Sequence, residues 1–131
     1  MSTIFKKIID GELPCYKVAE NDQFLAFLDI QPLVKGHVLV IPKLEEDYIF
    51  DLDDDLLSGL ICFSKHVAKK MKLHIPCKKI GISVIGLEVA HAHIHLIPIN
   101  SIHDMNFSNV KLTLDSSEML ELSNKILKCI S

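Results

Sequence analysis

Apolar residues along this chain change period several times, and each change marks an element. Ile4, Phe5, Ile8 and Ile9 recur at helical spacing behind Ser2 and Thr3 as candidate caps, with Gly11 and Pro14 as terminators, so residues 3–10 predict a short amphipathic helix. YKVAENDQFLAFL, residues 16–28, carries two β-type runs split by Asn21-Asp22, which predicts a hairpin. DIQPLVKG at 29–36 is punctuated by Pro32 and Gly36 and predicts a loop, and HVLVIP after it predicts a third strand. Between Asp53 and Leu73 the positions Leu56, Leu60, Phe63, Val67 and Met71 step by three and four, behind aspartates that suit a helix N-terminus. Pro76 closes that helix. KIGISVI at 79–85 and AHAHIHLIPI at 90–99 predict two further strands around a connection containing Gly86. Last, Asp115 as N-cap, Glu118 three positions on, and Leu114 with Met119 as a staple predict a capping box and a helix over 116–129. The order is helix, three strands, helix, two strands, helix. Hairpin-connected strands dominate, so an α+β domain with an antiparallel sheet is the expected architecture.

Composition narrows the function classes. A chain of 131 residues with 49% hydrophobic content can build one core, and a single domain over 1–131 is expected. Fourteen basic residues against 17 acidic ones, a net charge of −3, provide no basic field for a nucleic-acid polymer. Small anionic ligands remain possible, because a few donors in a cleft bind phosphate whatever the overall charge. MSTIFKKIIDGELP has neither a long apolar run nor a small-residue cleavage site, so no secretory signal or membrane anchor is expected. Cys15, Cys62, Cys77 and Cys129 are widely and irregularly spaced without a C-x-x-C pair, which suits reduced thiols and a cytoplasmic location. The aspartates 51 and 53–55 are expected to cap and solvate the long helix rather than bind metal.

Seven histidines are present, and three stand at 91, 93 and 95 in HAHIHLI. On a strand these would share one face, with Ala92, Ile94 and Leu96 packing on the other. Three imidazoles side by side leave ring nitrogens that need partners, so the row asks for a task. Metal binding is one. A straight strand places His91 and His95 about 13 Å apart, so one ion cannot take all three, and a shared ion would need Glu88, His37 or His103 as a further ligand. Nucleophilic catalysis is the other. A neutral imidazole can attack phosphorus while its second nitrogen donates to a fixed acceptor, and neighbouring imidazoles can donate to phosphate oxygens or to the leaving group.

HAHIHLI at 91–97 resembles the signature of the histidine-triad (HIT) family, in which histidines alternate with apolar residues. IFKKIIDGELP near the start, FLAFLDIQP at 24–32 and GHVLVIPK at 36–43 resemble other blocks of that family, so the resemblance spans about residues 3–99, with 100–131 as a C-terminal helical extension. The resemblance implies a HIT-like fold with a five-stranded antiparallel sheet continued across a homodimer, a purine nucleotide or nucleoside phosphoramidate as ligand, and no cofactor. It implies a hydrolase or transferase in which His93 attacks the α-phosphorus to give a nucleotidyl-histidine that water resolves. By the same resemblance the main-chain carbonyl of His91 holds the second nitrogen of His93, His95 contacts a phosphate oxygen, and His37 is a further active-site histidine. Asp29 matches the residue that binds ribose hydroxyls, and Ile4, Phe5, Ile8, Phe27 and Ile30 match apolar walls around the base, with plain core packing as the alternative for each.

Two departures stand out. Many members carry cysteines flanking the position of Phe5 that help bind a structural zinc, whereas this chain has Thr3 and Lys6, so no metal is expected there. Before the triad the family has a longer Asn- and Gly-containing loop ending in Gly-Gln, whereas ISVIGLEVA is short and reads Gly86-Leu87-Glu88. Leu87 cannot supply the glutamine's amide, which leaves a nucleotide-binding module with little turnover as the alternative function.

Overall fold

Backbone hydrogen bonding and apolar burial in the computed structural model, which describes residues 3–129, organise the chain around one five-stranded sheet. Helix α1 (Ile4–Ile9) starts at Thr3, whose hydroxyl accepts from the Lys6 amide. Ser2, the other candidate cap, lies outside the described residues. Strands β1 (Lys17–Glu20) and β2 (Phe24–Leu28) form the expected hairpin, with the Asn21 side chain accepting from the amides of Gln23 and Phe24. Strand β3 (Val38–Pro42) follows the loop, then helix α2 (Asp54–His74), strands β4 (Lys79–Ser83) and β5 (Ile94–Ile99), and helix α3 (Ser116–Leu127). The strand order is β1-β2-β3-β5-β4, every pairing antiparallel. Two single turns of 3₁₀ helix, Ile49–Asp51 and Ile102–Met105, carry too few residues for a periodic signal.

The pleat of this sheet sorts residues into two layers. Phe24, Ala26 and Leu28 of β2, Val38 and Val40 of β3, and Ile94 and Leu96 of β5 pack with Leu60, Val67 and Met71 of α2 and Met119, Leu122 and Ile126 of α3. On the opposite face Leu25, Phe27, Leu39 and Ile41 pack under Phe5, Ile8 and Ile9 of α1. Each fully buried Leu or Ile in the larger layer contributes roughly 1.5–3 kcal/mol of burial. Because β2 and β3 are buried on both faces, they read as unbroken apolar runs rather than as alternation.

Three expectations are corrected. The fifth strand begins at Ile94, not residue 90, because Ala92 N–H donates to the Glu46 carbonyl and His91 N–H to the Val89 carbonyl instead of to a neighbouring strand. Strand β4 ends at Ser83, where its pairing with His95 stops. At α3 Asp115 is the expected N-cap, but the capping box does not form: Asp115 accepts from the Ser117 amide rather than that of Glu118, and Glu118 turns away to pair with Lys35 at 2.7 Å.

Gly36 sits at the turn into β3 with φ 92°, and a Cβ there would lie 2.6 Å from Ile75 Cδ1 and 3.3 Å from Pro98 Cγ. Left-handed backbone and crowding both disfavour a side chain at this point. Gly36→Ala is expected to lower stability by about 1–3 kcal/mol, read as a reduced midpoint in urea unfolding at unchanged slope.

Candidate active site

Buried histidines converge on the α1 face of the sheet where β3 and β5 lie side by side. His95 is on β5, opposite Leu39 of β3, and His37 immediately precedes β3. His93 sits one residue before β5, its ring centroid 4.9 Å from that of His95, and the His37 and His95 rings lie 5.1 Å apart. Ala92, Ile94 and Leu96 face the larger core, as the alternation predicts. The row is not a straight ladder of three, however. The chain bends before Ile94, and His91 points its Nε2 to the Pro42 carbonyl at 2.8 Å, so the cluster runs His93, His95, His37.

Hydrogen-bond accounting fixes which nitrogen of each ring carries hydrogen. The Leu33 amide donates to His37 Nδ1 at 3.1 Å, so neutral His37 is protonated on Nε2. That Nε2–H donates to His95 Nδ1 at 2.9 Å, and His95 is therefore protonated on Nε2. His93 Nδ1 lies 2.7 Å from the His91 carbonyl, an acceptor only, so Nδ1 carries the hydrogen and Nε2 keeps its lone pair. One ring thus has a free nucleophilic nitrogen, and its neighbour has a free donor. His91, with Nε2–H donating to Pro42, is left with a buried Nδ1 that has no partner among the described residues.

Burial favours the neutral form of His37, His91 and His95. His37 is lowered to about 3 by burial, then by the fields of His95, Lys111 and His93. His95 is lowered to about 4 by burial, then by His93 and Lys111. Burial also lowers His91, against the Pro42 carbonyl. Asp29 is half-buried beside them, with Oδ2 at 3.8 Å from His37 Nε2 and Oδ1 accepting from the Gln31 amide at 2.9 Å. Burial pushes its carboxyl up, opposed by that amide. Since His37 is uncharged at neutral pH, the Asp29–His37 approach is not an ion pair.

Metal chemistry fits poorly on two counts. Ligand atoms of Asp29, His37 and His95 lie within 4.8 Å of one another, close enough to suggest an ion. Yet the Leu33 amide occupies the Nδ1 lone pair of His37, so its Nε2 holds a hydrogen and has no lone pair to offer. At the position where many histidine-triad proteins bind zinc, the Thr3 hydroxyl is committed to capping α1 and the Lys6 ammonium pairs with Asp10 at 2.8 Å. Lys6 also lowers the pKa of His91 through its positive field, which is unfavourable for a cation beside the unpartnered Nδ1. The residues present do not fit a zinc.

The other expected contacts divide. Phe5 stands edge-on to His93 at 5.1 Å and to Phe27 at 5.6 Å, and both phenylalanines are buried, so their packing role is plain. Ile8 is half-buried against the same cluster, whereas Ile4 and Ile30 are exposed, Ile30 at 65%, and present apolar surface. Gly86 turns the short loop with φ 77°, and Leu87 beyond it is 89% exposed, so nothing holds its side chain against the histidines. Glu88 is exposed but its charge reaches Asp29. Two residues absent from the sequence reading also belong here. Phe107 lies edge-on to His95 at 4.9 Å, and Lys111 adds its field to Asp29, His37 and His95. Their only signal was one aromatic and one lysine in a stretch without a helix or strand period.

Depressed histidines set the acid response. The unfolded rings take up protons near pH 6.5, while folded His95 and His37 stay neutral down to about 4 and 3. The unfolded state therefore binds more protons over that window, and stability falls as pH falls through it. The melting temperature is expected to drop between pH 6.5 and 5, above the ordinary carboxylate range, and His37→Asn to flatten that slope. A melting temperature constant over the window contradicts the neutral cluster.

Comparison with known proteins bears on the family and the fold. The HIT domain family model matches residues 10–102. An uncharacterized HIT-like protein of Borreliella burgdorferi is 38% identical over 131 residues, covering 94% of each chain. An adenosine 5'-monophosphoramidase of Saccharomyces cerevisiae is 41% identical over 97 residues, 72% of this chain and 61% of that protein. The crystal structure of a HIT-like protein from Bartonella henselae superposes with a TM-score of 0.82 at 29% identity, covering 96% of this chain and 94% of that one. With the domain matched over most of its length and four buried histidines on one face of the expected sheet, this chain belongs to the HIT family.

Proposed function

We propose that this chain hydrolyses or transfers at the α-phosphorus of purine nucleoside phosphoramidates or related nucleotides, through a covalent nucleotidyl group on His93. The observation that carries the reading is the 2.7 Å bond from His93 Nδ1–H to the His91 carbonyl, which leaves Nε2 unprotonated for attack. In the first step a bond forms from Nε2 to phosphorus and the bond to the leaving nitrogen breaks, the amine departing with a proton from solvent that the attacking water of the second step returns. The Nε2–H of His95 lies on the neighbouring ring, suited to donate to a phosphate oxygen or to the departing nitrogen. Water then displaces His93 and restores it. Asp29, beside the cluster, can accept from two adjacent ribose hydroxyls, and exposed Ile4 and Ile30 offer apolar surface to a base. A relative named as an adenosine 5'-monophosphoramidase supports the substrate class.

Two further parts of the reading concern its setting. Strand β4 is a sheet edge, and exposed Ile82, Val84 and Ile85 on and after it suit pairing with a second copy about a two-fold axis. Four free cysteines suit a reducing, cytoplasmic location. Among the described residues no helix is long and apolar enough to cross a membrane.

The second reading, a nucleotide-binding module with little turnover, is favoured by the exposure of Leu87 where the family places a glutamine amide. Mass spectrometry after mixing with adenosine 5'-phosphoramidate separates the two. A nucleotidyl adduct is expected on the parent and none on His93→Ala, which should still bind AMP within about tenfold of the parent. Binding without any adduct or turnover would favour the module. Light scattering should give twice 14.8 kDa at micromolar concentration, and a monomer mass alone would overturn the dimer.

A further inference from the structure

The candidate site has donors but little positive charge of its own. His37 and His95 are held neutral, while Asp29 and, from the exposed loop, Glu88 bring negative charge towards it. A nucleotide monoester brings more. Charge complementarity therefore calls for a cation, and the segment between β5 and α3 carries one to the site.

That segment is tied down at several points. Asn106 accepts on its side chain from the Ser108 amide and on its carbonyl from the Asn109 amide, and the Asn109 side chain donates to the His103 carbonyl at 2.8 Å. The Leu112 amide donates to the Pro32 carbonyl at 2.8 Å, fastening the segment to the loop that runs from Asp29 to His37. Phe107 closes over the histidines, its ring 4.9 Å from that of His95 and 6.3 Å from that of His37. Lys111 reaches back, its ammonium donating to the Phe107 carbonyl at 2.7 Å and standing 5.8 Å from the Phe107 ring centroid. Its side chain is half-buried while its neighbour Val110 is 88% exposed, so the chain turns the lysine inward and the valine outward.

We propose that Lys111 is a phosphate-binding residue of this site, positioned by the Phe107 carbonyl and by the backbone bond at Leu112. Resting on the nucleotide reading above, it assigns Lys111 to the non-bridging oxygens of the phosphoryl group. One of three ammonium hydrogens is used by the Phe107 carbonyl, and two remain for those oxygens. The field of Lys111 at Asp29, His37 and His95 is consistent with such a position.

Titration calorimetry of the full chain with AMP and with adenosine tests this without requiring turnover. The parent is expected to bind AMP more tightly than adenosine. Lys111→Met, which keeps the apolar stem, is expected to weaken AMP about ten- to hundredfold while adenosine binding and melting temperature stay near the parent values. Lys111→Arg should recover most of the loss, because it restores the charge. Unchanged preference for AMP over adenosine in Lys111→Met overturns the assignment, as does a parent that does not distinguish the two. The adduct on His93 is read separately: no adduct with an intact, Lys111-dependent AMP preference would sink covalent catalysis and leave the binding role standing.

Discussion

A backbone group fixed against one nitrogen of a buried imidazole sets which nitrogen carries the hydrogen, and in this protein such backbone partners fix the chemistry of the site. An acceptor carbonyl at His91 determines where the hydrogen of His93 resides. A donor amide at Leu33 does the same for His37 and, through one further bond, for His95. The partners at both ends are backbone groups, held by the turn before β3 and the bend before β5. Side-chain rotation cannot undo them easily, so the tautomers are set by the path of the main chain. The same burial holds His37 and His95 neutral, which a hydrogen-bond relay acting near neutral pH requires.

The sheet makes that burial possible by dividing the work between its faces. Helices α2 and α3 cover one side with a large apolar layer. The other side is covered over β2 and β3 by α1 and its few apolar residues, which leaves the ends of β3 and β5 free for polar groups. His95 lies on that face because it alternates with Ile94 and Leu96, whose burial against α2 fixes the strand's register. Phe5 links the halves, packing on Phe27 of the sheet and edge-on to His93.

Charge at the site comes from outside the histidine cluster. Asp29 arrives from the loop before β3 and Lys111 from the segment before α3, and one bond between Leu112 and Pro32 joins those two segments. An extension that contributes α3 to the large core therefore also brings Phe107 and Lys111 to the other side of the sheet. Packing and site are coupled through the same stretch of chain.

Local pattern determined most of the elements. Alternation in HAHIHLI put Ala92, Ile94 and Leu96 into the core, the steps from Leu56 to Met71 specified α2, and Asn21-Asp22 specified the hairpin. The resemblance of four blocks to the HIT family pointed to His37, His93 and Asp29, residues remote in sequence. What the pattern could not determine was the bend at residues 90–93, since it depends on Ala92 bonding to the Glu46 carbonyl across the fold. Nor could it reveal that Glu118 prefers Lys35 to its own helix start, because that competitor lies more than 80 residues away in sequence. Phe107 and Lys111 were equally silent: no helix or strand period marks their stretch, and the Phe107 ring reaches His95 and the Lys111 field reaches Asp29 only when the segment folds back. Periodicity reports which face of an element is apolar. Tertiary structure decided which backbone group meets which ring nitrogen, because those meetings join segments whose separation in sequence carries no periodic signal.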